Sequence, residues 1–110
     1  MTAIRDLLVA IPSVKRQVFC ERLAYDLTIA NRGIWSDEEL TSAEMLNGLK
    51  WSNELLHRLW GIIWQLRRGE HEAFDRLFDH FSFYLRESPE LGRVLPGTLK
   101  VTLKYALETN

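Results

Sequence analysis

Residues 42–68 read SAEMLNGLKWSNELLHRLWGIIWQLRR, a run without proline in which Met45, Leu49, Leu56, Leu59, Ile63 and Leu66 recur at helical spacing. Just before it, Thr41-Ser42-Ala43-Glu44 has the hydroxyl-to-glutamate spacing of a capping box. At its far end Arg67 and Arg68 place cations where the helix dipole is negative, and Gly69 is the residue type that closes a helix. The spacing predicts one long helix over 42–68. Trp51, Leu55, Trp60, Ile62 and Trp64 spread apolar surface over further sides of it. A helix that is apolar on several sides has to be covered on several sides. The remaining helices wrap it, or one side is left for a second chain.

Upstream, Ile4, Leu7, Leu8 and Ile11 sit at i, i+3, i+4 and i+7, the pattern of a short amphipathic helix that Pro12 ends. Ser13 is the expected N-cap of a second helix, with Val14, Val18, Phe19, Leu23, Leu27 and Ala30 on its apolar side and Asn31 and Gly33 closing it. Trp35 and the capping signal Ser36-Asp37-Glu38-Glu39 suggest a cornered connection into the long helix. Downstream, residues 70–87 place Phe74, Leu77, Phe78, Phe81 and Leu85 on one face of a further helix. Ser88-Pro89 breaks it, 90–95 reads as a turn or short helix, and Pro96-Gly97 reads as a second punctuation. In the last segment Leu99, Leu103, Ala106 and Leu107 have helical spacing, favoured over the strand that Val101, Thr102 and Tyr105 would also suit. The expected fold is all-α, a compact bundle of four to five helices around the long central one, in a single domain over 1–110.

At 110 residues the chain is the size of one domain, and 46% hydrophobic content is enough to fill one core. Fourteen basic residues against fifteen acidic leave a net charge of −1, so no global positive field draws the chain onto phosphate backbones, and nucleic acid is not the expected partner. Cys20 is the single cysteine and has no second thiol for a disulfide or a zinc pair. Arg5 and Asp6 interrupt the apolar N-terminal run and no small-residue cleavage site follows it. The most apolar stretch, 55–66, contains His57, Arg58 and Gln65 and is shorter than the ~20 residues a spanning helix needs. The expectation is a cytoplasmic protein with no membrane partner.

His71, Asp75 and Asp79 stand four residues apart, and with Glu72 and His80 they make a set of nitrogen and oxygen donors that suits a divalent cation on a regular helix. The same residues equally make the solvated face of an amphipathic helix, with Arg76 among them, and no metal or cofactor is expected. His57 has Glu54 three residues before it, and Cys20, with only Arg16 near enough to lower its pKa, reads as a packing residue. The sequence contains no glycine-rich phosphate loop, no His-Glu-x-x-His, no Gly-x-Ser-x-Gly and no Cys-x-x-Cys, so a non-enzymatic role is expected. Lys15, Arg16 and Arg22 on one helix and Arg58, Arg67 and Arg68 on another would make a basic patch if they converged. That keeps a small nucleic-acid-associated regulator as the alternative, with a helical metal- or ligand-binding protein third.

Tryptophan and arginine are the side chains most enriched at binding hot spots, and Trp51, Trp60, Trp64, Arg58 and Arg67 share the long helix. At about 100° per residue Trp60 and Trp64 lie about 40° apart, whereas Trp51 faces about 180° away from Trp60. The functional expectation is a protein–protein interaction module, an adaptor, regulator or inhibitor of a larger complex, with a homodimer among its forms. Its expected contact face is Trp51, Leu55, Arg58 and Ile62, with Trp35 near the corner.

Overall fold

The computed structural model describes residues 2–33 and 40–109 of the chain, and among these it is all-α. Five α-helices follow in order: α1 (Thr2–Val9), α2 (Arg16–Gly33), α3 (Ser42–Arg67), α4 (Arg76–Glu87) and α5 (Leu91–Glu108). Short 3-10 helices at Ser13–Lys15 and His71–Asp75 lead into α2 and α4. Trp35 and the capping signal at 36–39 lie outside the described residues.

The long helix α3 runs for 26 residues and its ends are set by the local chemistry read in the sequence. Thr41 Oγ1 accepts from the Glu44 backbone N–H at 3.2 Å, and the Thr41 N–H donates to Glu44 Oε1 at 3.0 Å, the reciprocal bonds of a capping box. These bonds to Thr41 hold the Glu44 carboxyl below its ordinary pKa. At the other end Gly69 takes φ +85°, its N–H donates to the Leu66 carbonyl at 3.0 Å, and the Glu70 N–H donates to the Gln65 carbonyl at 2.9 Å. Those two bonds form a Schellman closure, which needs a left-handed residue at the position Gly69 occupies.

α3 is central: it packs against α2, α4 and α5, and α2 in turn lies along α5. Leu55, Leu59, Ile63 and Leu66 of α3, Phe19, Leu23 and Leu27 of α2, Leu77 and Phe81 of α4, and Leu91, Leu95 and Leu99 of α5 form one shared core, which Ile4, Leu8 and Ile11 extend from the α1 side. Polar bonds set the register of the packed pairs. Buried Ser52 of α3 donates to Asn31 Oδ1 of α2 at 2.6 Å, and Asn31 Nδ2 donates to Asn53 Oδ1 at 2.9 Å. Thr102 of α5, fully buried, donates to Asp26 Oδ2 of α2 at 2.6 Å, and Asp26 also pairs with Arg22 at 3.1 Å. The Lys15 ammonium donates to the Thr109 carbonyl and ties the start of α2 to the end of α5.

Three features differ from the sequence expectation. Ser13 does not cap α2: it opens the 3-10 turn Ser13–Lys15, whose N-cap is Pro12, and makes no capping bond among the described residues. The helix expected over 70–87 opens as a 3-10 turn at His71–Asp75, and regular α-helix begins only at Arg76. The Schellman closure at Gly69 delivers the chain into a sharp reversal, and the tighter turn drops Ala73 and Phe74 into the core, where Phe74 meets the Phe19 ring edge-on at 6.3 Å. More substantially, Pro96-Gly97 does not punctuate the chain: α5 runs through both residues from Leu91 to Glu108. An interior proline costs about 3 kcal/mol because it removes an N–H and crowds the carbonyl four residues earlier. Here that carbonyl is Gly92's, in the first turn of α5 at an exposed residue, where water can take the place of the missing N–H. Leu91 and Leu95 before the proline and Leu99 and Ala106 after it lie on one buried stripe, and each buried leucine contributes about 1.5–3 kcal/mol. Continuation of the helix therefore wins.

Among the described residues no helix is long and apolar enough to cross a membrane.

Candidate functional site

The outer surface of α3 is where the sequence placed a contact face, and its structure is decided by which stripe each residue occupies. Trp51, Leu55, Arg58 and Ile62 recur at i, i+4, i+7 and i+11, a single stripe. That stripe faces α4 and is covered from within the chain. Leu55 is 0% exposed and belongs to the core, where it presents no side chain to a partner; Ile62 is 2% exposed and reaches the surface only as part of the wall of a groove between α3 and α4. Trp51 is half-buried, its ring 6.3 Å from Phe83 and 5.8 Å from Tyr84 of α4, with the Lys50 ammonium 4.9 Å from its centroid. Arg58 alone of the four is exposed; its Nε donates to the Tyr84 hydroxyl at 3.4 Å, which raises its already high pKa.

The exposed apolar surface of α3 lies instead on the Trp60 and Trp64 side, with Trp60 40% and Trp64 57% exposed and Leu46 further along the same side. Trp64 is held in place: the Arg67 guanidinium lies 5.0 Å from its ring centroid and is itself anchored on Glu21 of α2 at 2.9 Å. A cation over an indole face and a carboxylate behind the cation restrict both side chains, which lowers the entropy that a docking partner would otherwise have to remove.

One turn away on the same helix a groove of about 230 Å³ opens between α3 and α4. His57, Arg58, Gly61, Ile62 and Gln65 line it from α3, and Arg76 and His80 from α4. No carboxylate lines it. The Arg76 guanidinium donates to Gln65 Oε1, a neutral acceptor, and Arg58 has only the Tyr84 hydroxyl, so among the described residues neither guanidinium has a carboxylate within ion-pair distance. Burial first, then the charges of Arg58 and Arg76, hold the His80 imidazole below its ordinary range, against an opposing pull from Asp79. The groove is continuous with the tryptophan face, because Trp60 is three residues and Gly61 four residues beyond His57, the spacings of side-chain neighbours on a helix.

The other candidates from the sequence are not assembled. His71 and Asp75 fall in the 3-10 turn and Asp79 in α4, so the four-residue ladder of a regular helix is broken, and no three metal-ligating side chains converge among the described residues. The basic residues do not merge into a patch: Arg67 pairs with Glu21, Arg68 with Glu70 and Arg22 with Asp26. Arg16 lies over the Phe74 ring at 4.8 Å. Cys20 is fully buried and burial pushes its thiol up to about 12, so it stays protonated and unreactive in the fold.

The sequence pattern passed over Gly61, and it grouped Arg76 and His80 with the His71, Asp75 and Asp79 side and not with Arg58. A signal for Gly61 was present, since a glycine between two tryptophans in a helix interior is costly without a reason. Nothing in the sequence joined Arg76 and His80 to Arg58, because only the packing of α4 on α3 brings them together. The chain matches no family model, no curated protein and no solved structure.

Proposed function

We propose that the chain is a non-enzymatic protein–protein interaction module that docks its partner on the outer face of α3, around Trp60 and Trp64. The observation that carries this reading is the exposed tryptophan pair, with Trp64 pinned by Arg67, on a helix whose other apolar sides are covered. Indole side chains provide large contact area at little entropic cost, and Trp and Arg dominate binding hot spots. Arg58 and the α3–α4 groove, one turn away, supply the polar part of the same surface.

The test is binding by the full chain and by the double variant Trp60→Ala, Trp64→Ala. Sedimentation of the purified chain reads self-association, and capture from a lysate of the source cells reads a heterologous partner. The proposal expects a stoichiometric complex that the double variant loses while its far-UV circular dichroism is unchanged. A complex that the double variant retains at full occupancy rules the face out.

A further inference from the structure

We infer that the groove between α3 and α4 receives a carboxylate side chain of the partner, so that the module selects an acidic amphipathic segment whose apolar side chains cover Trp60 and Trp64. This rests on the proposed docking face and names the chemistry of what docks there.

Three observations converge on it. The first is charge: Arg58 and Arg76 approach one groove from two helices without a carboxylate partner, and the groove lining contains two histidines and no acid. Glu54 and Asp79 act on Arg58 and His80 from outside that lining and do not occupy it. Among the described residues Arg22, Arg67 and Arg68 hold a carboxylate whereas Arg5, Arg16, Arg86 and Arg93 do not, so what sets Arg58 and Arg76 apart is that the two line one groove. A guanidinium offers planar, paired donors that match a carboxylate, and two of them facing one space complement an anion from two sides. The second is shape. Gly61 lies in the groove wall within the interior of α3, where glycine is disfavoured against alanine, yet a Cβ there would meet nothing within 4 Å. Packing within the chain therefore gives no reason for the missing side chain; an arriving backbone or side chain does. The third is continuity. His57 neighbours both Trp60 and Gly61, so the apolar face and the cationic groove can be met together by one segment with apolar and acidic side chains one turn apart.

The alternatives are a small inorganic anion and a neutral apolar segment, and the test separates them. The isotopically labelled full chain is titrated, under NMR observation, with a short amphipathic peptide of leucine and glutamate, with the same peptide carrying glutamine for glutamate, and with inorganic phosphate alone. The inference expects the glutamate peptide to shift the signals of His57, Gly61 and His80 together with the indole signals of Trp60 and Trp64, with an affinity that falls as salt is added. It expects the glutamine peptide to bind at least about tenfold more weakly. It expects the same loss for the glutamate peptide in Arg58→Gln with Arg76→Gln, and in Gly61→Glu, which puts a carboxylate of the chain's own into the groove; all three positions are exposed, so these variants keep the fold. Equal binding of the two peptides, no binding of either at millimolar concentration, or groove shifts with phosphate but not with the glutamate peptide would each overturn it. If the tryptophan variants lose a partner that Arg58→Gln with Arg76→Gln retains, the docking face stands and the carboxylate inference fails. The reverse pattern removes the docking face and leaves an anion site.

Discussion

Replacing Gly61 and Gly69 separately with alanine gives a paired test of the energetics, because the two glycines differ in one physical respect. A Cβ at either position would meet nothing within 4 Å, so neither substitution gains or loses packing. Gly61 has ordinary helical backbone inside α3, whereas Gly69 has φ +85°. Alanine at an interior helical position is worth about 0.8–1 kcal/mol over glycine, chiefly by restricting the unfolded chain. Alanine forced into the left-handed region costs about 1–2 kcal/mol. Gly61→Ala should therefore stabilise the fold by about 1 kcal/mol and Gly69→Ala destabilise it by about 1 kcal/mol. For a domain of this size each corresponds to a Tm change of about 4 °C or somewhat more, in opposite directions. Urea and thermal unfolding followed by far-UV circular dichroism measure both. A Gly61→Ala protein that is less stable than the parent would refute the reasoning, since it would mean that the groove wall is filled from within the chain. An unchanged Gly69→Ala protein would mean that the helix closes by another route.

Thr102→Val removes a buried hydroxyl 2.6 Å from Asp26 Oδ2, a hydrogen bond to a charged group, and should cost about 1.5–3 kcal/mol of unfolding free energy; a urea midpoint within error of the parent contradicts that. Cys20, buried with its thiol raised to about 12, should be inert to a thiol-specific reagent in the native chain and react stoichiometrically once denatured, and rapid labelling of native protein would show that the α2 face opens. His80 titrates in the fold below its ordinary value of 6.5, so the unfolded chain takes up a proton that the folded chain refuses. Its contribution is complete well above that value and is lost as pH falls through and below it, so unfolding free energy should decrease as the solution is acidified past pH 6.5, and His80→Asn should flatten this decline. An identical slope in the variant would remove His80 as its source.

The sequence signals that held are those in which cause and effect lie within one turn of the chain. The capping box at Thr41 and Glu44, the closure at Gly69 and the stop at Pro12 are local bonds or local steric conflicts, and they appear where the residue types put them. Helical periodicity likewise identified the interior of α3, because a stripe at 3.6-residue spacing has few other ways to be buried. Pro96 misled because its local penalty is outweighed by burial of leucines on both sides, a sum that involves α2 and the rest of the core.

For the functional surface the division is sharper. By itself the sequence determined an all-α chain with a long central helix apolar on several sides, and it determined that Trp60 and Trp64 share a direction while Trp51 does not. Which apolar side stays open was decided only by the tertiary structure. α4 covers the stripe of Trp51, Leu55 and Ile62, leaving Trp60 and Trp64 exposed, and the same packing brings Arg76 and His80 beside Arg58. Helical periodicity fixes the angle between two side chains on one helix. It carries no information about which neighbouring helix arrives at that angle, and burial and the grouping of charges from separate helices depend on that arrival.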